Sequence, residues 1–347
     1  MKATSAIQLF IEEIRLSGEG VKLFYFTRES SRAIRYKAGQ YLTFILSEEQ
    51  SEIRRSYSLC STPGIDDRLC IGVKRIDNGT FSRYLYDEVK EGDALWTVGP
   101  GGLFVLPENV DLYNQLFFFA AGSGIVPVFS LLKAFLFDSR NKQVILIYSN
   151  HSPETTIFLQ ELQTLQQQFP EQFMIRWLFS NSMDLLQARL HPDLIRDIVR
   201  TYTGEHLTSS LFYICGPEAY MRLCVFTLRG MNISADLIKK EIFHTTRTVI
   251  KIDPPDKMTR MVTILMGGVA HKVQQEYPFS ILQSARKAGL VLPYSCDAGR
   301  CGNCIATCTA GKVWMSYNEV ITDKELLQGL VLTCTGHAVE GDVTIRI

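Results

Sequence analysis

Three cysteines crowd one short stretch of this 347-residue chain, "PYSCDAGRCGNC", and a fourth follows far downstream in "VLTCTG". Cys296, Cys301 and Cys304 stand in the pattern C-x4-C-x2-C, with Cys334 thirty positions after Cys304. Four thiolates at this spacing suit a [2Fe–2S] cluster, because a loop must wrap closely around two irons and aim its N–H groups at their sulfurs. Gly299 and Gly302 would let the backbone approach, and Ala298 and Asn303 add little bulk. A four-cysteine zinc site normally brings two short C-x2-C pairs, which the lone Cys334 does not supply. Cys308 fits no ligand position and reads as a packing residue.

The other five of the nine cysteines have no metal-ligand spacing. An odd count, with no secretory leader in "MKATSAIQLFIEEIRL", predicts reduced thiols and a cytoplasmic protein. Lys plus Arg and Asp plus Glu both total 36, which argues against nucleic acid or an anionic membrane as the main partner. The run "QLFFFAAGSGIVPVFSLLKAFLF" could span a bilayer on length alone, but Gly122, Gly124 and Pro127 break it and Lys133 charges it. Strand, glycine turn and helix explain it better, so no membrane insertion is expected.

The chain is long enough for two or three domains. Residues 1–108 carry six strand-length runs, from "AIQLFIEEIRL" to "DALWTVGP", which predict an antiparallel barrel. Within them "FSRYLYDEV" has helical spacing. Residues 109–247 alternate apolar strands such as "QVILIYS" and "SSLFYICG" with helical stretches, the rhythm of a parallel α/β sheet. Residues 248–260, with Pro254–Pro255, predict a linker, and 261–347 a small α+β unit. The expected architecture is therefore multidomain β, α/β and α+β.

A cluster needs an electron source, and the upstream residues offer candidates. In "RRSYSLCS" strand alternation puts Arg55 and Tyr57 on one face, where a guanidinium could clamp pyrophosphate and a phenol could cover a flavin ring. The Ser58 hydroxyl could reach the flavin's N5 edge. Gly79, Thr80 and Ser82 open the helix of "NGTFSRYL", whose free N–H groups suit a phosphate. Gly122 and Gly124 in "FFAAGSGIVP" would admit dinucleotide phosphates to a helix start, with Pro127 tolerated in its first turn. A serine-hydrolase reading needs G-x-S-x-G, which the flanks of Ser123 do not provide. The six histidines form no metal-spaced pair, so iron should be the only metal.

The last segment resembles the plant-type ferredoxins, which implies a β-grasp fold, although residues 261–347 hold seven basic and seven acidic side chains and so lack an acidic docking face. The ordered set R-x-Y-S, G-x-x-S, "GPGGLF" and "YICGPEAYM" resembles the ferredoxin–NADP reductase family. That resemblance implies FAD rather than FMN, and a nicotinamide nucleotide held partly by Gly216 and Pro217. It also implies that Cys215 lies beside the nicotinamide as a positioning residue, and that Glu241 and Phe243 of "EIFHT" lie near the flavin. Ser149, Asn150 and His151 stand where an NADH-binding fold often offers a carboxylate, which favours NADPH; Ser180 is followed by Asn181 where NADPH-specific relatives offer an arginine, a departure for which Arg189 could compensate. The whole chain is similar to phenylacetyl-CoA oxygenase reductase-type components. These carry electrons from NAD(P)H through flavin and cluster to a separate oxygenase, hydroxylase or other electron-accepting metalloprotein. The alternatives are the reductase of a desaturase or hybrid-cluster protein, and a redox-sensing iron–sulfur flavoprotein without turnover.

Overall fold

The computed structural model describes residues 6–48, 51–138, 142–203, 207–243 and 252–347. They fall into two compact units that part after Phe243.

The first unit opens with six strands: β1 (Ile7–Leu16), β2 (Val21–Phe26), β3 (Tyr41–Glu48), β4 (Ser51–Ser58), β5 (Cys70–Lys74) and β6 (Ala94–Gly101). They pair antiparallel in the order β4-β3-β6-β1-β2-β5, and a bridge from Leu59 to Ile71 links the two ends. This is the expected barrel, its two edge strands joined at one end by that bridge. Its inward residues, among them Leu9, Phe24, Phe26, Leu42 and Phe44, are fully buried and form one core. Two short helices, α1 (Arg28–Arg32) and α2 (Thr80–Arg83), interrupt the strands, and α2 runs on as a wider π-type turn over Tyr84–Glu88.

The same unit continues into five parallel strands: β7 (Gln115–Ala121), β8 (Gln143–Asn150), β9 (Phe173–Phe179), β10 (Ser210–Cys215) and β11 (Ile238–Glu241). Their order is β11-β10-β7-β8-β9. The helices between them are α3 (Ile125–Leu136), α4 (Leu159–Gln168), α5 (Leu185–Ala188), α6 (Pro192–Thr203) and α7 (Glu218–Gly230). Buried on both faces, β7 and β10 read as near-continuous apolar runs, as parallel strands must. Because α3 is buried along almost its whole length, "QLFFFAAGSGIVPVFSLLKAFLF" resembles a membrane span in sequence. Among the described residues no helix is long and apolar enough to cross a membrane.

The second unit holds β12 (Arg260–Met266), β13 (Val269–Gln275), α8 (Ile281–Lys287), β14 (Ile305–Met315), α9 (Asp323–Leu327), β15 (Leu330–Leu332) and β16 (Gly336–Arg346). The sheet order is β13-β12-β16-β14-β15, with β12 and β16 parallel and the other pairs antiparallel. That mixed topology, with α8 contributing Ile281, Leu282 and Ala285 to the core, is the β-grasp arrangement.

The predicted linker, 248–260, divides differently. Residues 248–251 lie outside the described residues, whereas the rest is fastened to the second unit. Asp256 pairs with Arg260 at 2.6 Å and accepts from the Glu340 N–H at 3.2 Å. The Tyr277 hydroxyl donates to Asp253 at 3.0 Å. A stretch without helical or strand periodicity can still be held by its carboxylates, and periodicity cannot register that.

Candidate functional site

The barrel and the parallel sheet meet where β4 ends. Strand alternation turns Ser58 away from Arg55 and Tyr57, toward the C-terminal end of β11. There the Ser58 hydroxyl donates to Glu241 Oε1 at 3.1 Å, with both side chains buried. Glu241 stands beside Cys215 in the parallel register of β10 and β11. Two residues 183 positions apart, and a cysteine between them in sequence, thus converge on one point.

Burial sets the charge there. Desolvation pushes the Glu241 carboxyl up to about 8, against the smaller opposing effect of the Ser58 hydrogen bond. Its second oxygen, Oε2, is buried with no hydrogen-bond partner. An orphaned buried acceptor or acid is costly to leave alone, so this atom fits a site completed by a bound polar group. Cys215 is fully buried, and its thiol is raised first by desolvation and then by the Glu241 charge. It stays protonated at neutral pH, which suits a packing or positioning role and not a covalent nucleophile. Phe243, two residues past Glu241, remains 39% exposed.

On the opposite face of β4, Tyr57 packs between Phe44 and Phe81, at ring-centroid distances of 6.3 and 5.9 Å. Arg55 is exposed, with one guanidinium nitrogen on the Arg54 carbonyl at 2.7 Å. The neighbouring Arg54 is the buried member of the arginine pair, held by Glu52 at 2.6 Å. Gly79 is the N-cap of α2, as expected, and Thr80 is exposed. Ser82 is buried and committed to the turn itself. Its hydroxyl accepts from the Ile76 N–H at 3.3 Å and donates to the Gly79 carbonyl at 3.1 Å. Ser82 therefore shapes the turn together with the Gly79 N–H, which donates to the Ile76 carbonyl at 2.9 Å, and Thr80 is the first residue of α2.

The two glycines of "AAGSGIVP" separate in role. Gly122 has φ +53°, and a Cβ built there meets nothing within 4 Å, so its backbone faces open space at the start of α3. Gly124 is different: a Cβ there would lie 2.1 Å from the Cys215 carbonyl oxygen. It is glycine because β10 passes against it, and Gly122 is the one of the two that borders open space. Pro127 is buried in the first turn of α3. At the same sheet edge Gly216 lies against Ala121 and Tyr220, and Pro217 caps α7. The Tyr220 hydroxyl donates to the Ala120 carbonyl at 3.2 Å beside Ser149, whose buried Oγ otherwise has no partner. Ser180 follows β9 and meets His151 Nδ1 at 3.1 Å. Arg189 caps the C-terminal end of α5 with extended backbone.

A cleft of ≈ 1000 Å³ elsewhere in this unit is lined by Tyr25, Cys60, Arg68, Lys133 and Phe158. It contains none of Ser58, Cys215 or Glu241, and the Lys133–Asp66 ion pair crosses its wall.

In the second unit the four cysteines stand as two pairs. Cys304 and Cys334 approach to 3.1 Å between sulfurs, and Cys296 is hydrogen-bonded to Cys301. Among the described residues no three Cys, His, Asp or Glu side chains close on a single metal ion. Two thiol pairs, one for each of two irons, fit a dinuclear cluster and not a mononuclear tetrahedral ion. The Cys296 thiol is lowered to about 6, first by the Cys301 hydrogen bond and further by the backbone N–H groups of Arg300, Ala298 and Cys301, against the opposing effect of burial. Those donors are the ones a cluster loop needs. Gly299 permits this wrapping at φ +74°, where a Cβ would sit 2.7 Å from the Tyr317 carbonyl oxygen. Cys308 points elsewhere, toward the carbonyls of Ala310 and Gly311.

Two ion pairs that no sequence motif announces brace this loop. Arg286 of α8 meets Asp297 at 3.2 Å, and Arg300 meets Glu319 at 3.0 Å. The arginine in "CDAGRCGNC" is plain to see, but nothing in the sequence links it to a glutamate nineteen residues on.

Comparison with known proteins agrees with this geometry. Residues 9–106 match the oxidoreductase FAD-binding domain, 118–225 the oxidoreductase NAD-binding domain and 268–339 the 2Fe-2S iron-sulfur cluster binding domain. The chain is 32% identical to the ferredoxin reductase component of 3-ketosteroid-9-alpha-monooxygenase from Mycobacterium tuberculosis, over 87% of this chain and 83% of that protein. It is 30% identical to one component of the 1,2-phenylacetyl-CoA epoxidase from Escherichia coli, over 90% of this chain and 89% of the relative. Phthalate dioxygenase reductase, described as a modular structure for electron transfer from pyridine nucleotides to [2Fe-2S], shares the fold with a TM-score of 0.59 at 23% identity. That likeness covers 99% of this chain and 98% of the solved one. With an FAD-binding barrel, a NAD-binding sheet and a 2Fe-2S β-grasp unit in this order, the chain belongs to the ferredoxin–NADP reductase family, in the branch that carries a C-terminal plant-type ferredoxin domain.

Proposed function

We propose that this protein is the reductase component of an oxygenase system, drawing electrons from NAD(P)H and delivering them to a separate oxygenase or hydroxylase component. The observation that carries the reading is the meeting of Ser58, Cys215 and Glu241 at the junction of barrel and sheet, in a chain that also pairs four cysteines in its second unit. When bound, the nicotinamide supplies a hydride, the flavin converts that two-electron delivery into single electrons, and the [2Fe–2S] cluster carries them one at a time.

The residues around these groups have distinct tasks. Tyr57 offers a ring face and Arg55 a cation on one side of β4, suited to isoalloxazine and pyrophosphate. Thr80, exposed at the start of α2, would offer its N–H to the flavin's phosphates, with Gly79 setting the turn before it, and Gly122 would leave room for the nucleotide's. Gly216 and Pro217 shape the turn beyond Cys215, whose neutral thiol packs against the nicotinamide position and excludes water. Glu241, mostly protonated at neutral pH, holds a proton at a buried oxygen and hydrogen-bonds Ser58 through the other. This pair can orient the Ser58 hydroxyl and exchange a proton without placing a charge in the site. Phe243, partly exposed two residues past the end of β11, would cover the flavin. Cys296, Cys301, Cys304 and Cys334 hold the cluster.

For the nucleotide, the end of β8 offers Ser149 and Asn150, with His151 touching Ser180, in place of a carboxylate. That set favours NADPH, since no negative side chain there would repel a 2′-phosphate. The deciding experiment is an anaerobic optical titration of purified holoprotein with NADPH and NADH separately. Bleaching of the flavin band and then of the iron–sulfur bands supports the reductase, and the more effective nucleotide is the physiological one. A coloured protein that neither nucleotide bleaches refutes it.

A further inference from the structure

Arg300 is unusual in the second unit. Among its described residues it is the one charged side chain in the buried class, 8% exposed, and it belongs to the cysteine loop itself. Its backbone N–H donates to Cys296 Sγ at 3.5 Å, and its guanidinium lies 5.7 Å from the Tyr317 ring centroid. Its counter-charge is Glu319, at 3.0 Å, whose side chain is 35% exposed.

Glu319 does not arrive there by chance of rotamer. Its own N–H donates to the Gly299 carbonyl at 3.1 Å, one residue before Arg300. The same segment is tied to the fourth cysteine's neighbour, because Thr335 Oγ1 donates to the Tyr317 carbonyl at 2.8 Å and the Ser316 N–H to the Thr335 carbonyl at 2.9 Å. Residues 316–319 therefore form a fixed strap between both cysteine segments, and the strap presents one carboxylate to one buried cation.

Reduction of a [2Fe–2S] cluster adds one negative charge to a site already rich in thiolate. A cation held close by in a poorly solvated loop favours the reduced form, and a carboxylate at the same place opposes it. The two are not equivalent in exposure: Arg300 is buried on the loop, whereas the Glu319 side chain is 35% exposed. Together they leave the loop with a nearly neutral balance that either partner alone would upset.

We propose that Arg300 and Glu319 act as a positioning pair that sets the reduction potential of the cluster, with Arg300 favouring the reduced state and Glu319 holding that effect in check. This rests on the four cysteines being the cluster ligands. The other pair at the loop, Arg286 and Asp297, is left unchanged in every variant below, so its field is common to all of them.

The test is a redox titration of the holoprotein, with the cluster followed by electron paramagnetic resonance, for the parent and for E319Q, R300Q, R300K and the double variant R300Q/E319Q. E319Q should raise the potential and R300Q lower it, each by at least a tenfold change in the one-electron equilibrium, about 59 mV. R300K should stay near the parent, and the double variant should return toward it, because the net charge is restored. If E319Q and R300Q move the potential in the same direction, or not at all, while thermal stability falls, the pair is a structural brace and the proposal is overturned. A parent protein that purifies with iron yet shows no [2Fe–2S] signal overturns the cysteine assignment and the proposal together. A parent with the signal and unmoved variants overturns the proposal alone.

Discussion

Replacing Glu241 by glutamine isolates one proton at the heart of the site. The carboxyl rises from 4.5 in its ordinary state to about 8 in the folded protein, because burial penalises its charged form. Between those values the native chain holds a proton that the unfolded chain has released. Stability contributed by this group is therefore complete below the unfolded value and declines as pH climbs toward 8. The slope approaches about 1.4 kcal/mol per pH unit, so the loss is roughly 2–3 kcal/mol between about pH 5.5 and pH 7.5 and about 5 kcal/mol across the full interval. The amide introduced by E241Q cannot titrate, and the cost of burying it does not depend on pH. Urea unfolding of the FAD-saturated parent and E241Q, at several pH values and followed by flavin fluorescence, gives the difference in unfolding free energy. That difference should move steadily in the parent's disfavour as pH rises. A difference that stays flat refutes the argument, since it would mean that Glu241 is ionised in the folded protein and solvated through a route its burial does not suggest.

Other variants separate binding from architecture. G124A should unfold the nucleotide domain or drop its melting temperature sharply, because the new methyl would meet the Cys215 carbonyl oxygen at 2.1 Å. G122A should instead cost about 1 kcal/mol of backbone strain and weaken NAD(P)H binding at least about tenfold, read by fluorescence titration and thermal melting together. C334S should abolish the iron–sulfur absorbance while leaving NAD(P)H-driven reduction of a soluble dye through the flavin, which tests whether the two units work in series. S58A should slow that dye reduction more than it raises the nucleotide Kd, because it removes the donor to Glu241 and no phosphate contact.

Local patterning made much of this fold legible. All six barrel runs became strands, and "QLFFFAAG", "QVILIYS" and "SSLFYICG" became β7, β8 and β10; most carry apolar residues, alternating or continuous, bounded by turn formers, with the polar β4 the exception. The cysteine spacing was equally readable, since loop ligands must come at short, fixed separations. What depends on distant contacts was not. Gly122 and Gly124 look alike in sequence, and only the passage of β10 against one of them gives them different roles. Ser82 has the chemistry of a phosphate ligand, but a competing local turn uses its hydroxyl. Asp253 and Asp256 lie in a stretch without periodicity, and the groups that hold them, Tyr277 and the Glu340 N–H, are 24 and 84 residues away. The Arg300–Glu319 pair has the same character: either residue alone is an ordinary charge.

The strand order of the second unit bears on how the protein is made. β16 lies between β12 and β14, so the last strand in the sequence is the middle of the sheet. Cys334 sits directly before it, opposite Cys304 only once β14, β15 and β16 have paired. The loop at 296–304 can present three sulfurs by itself, but the fourth waits for β14 and β15 to pair, which sets Ile305 opposite Leu332. The metal site is therefore complete only where β14 and β15 have paired. Iron content, measured on purified material, then reports how much of the population has finished folding.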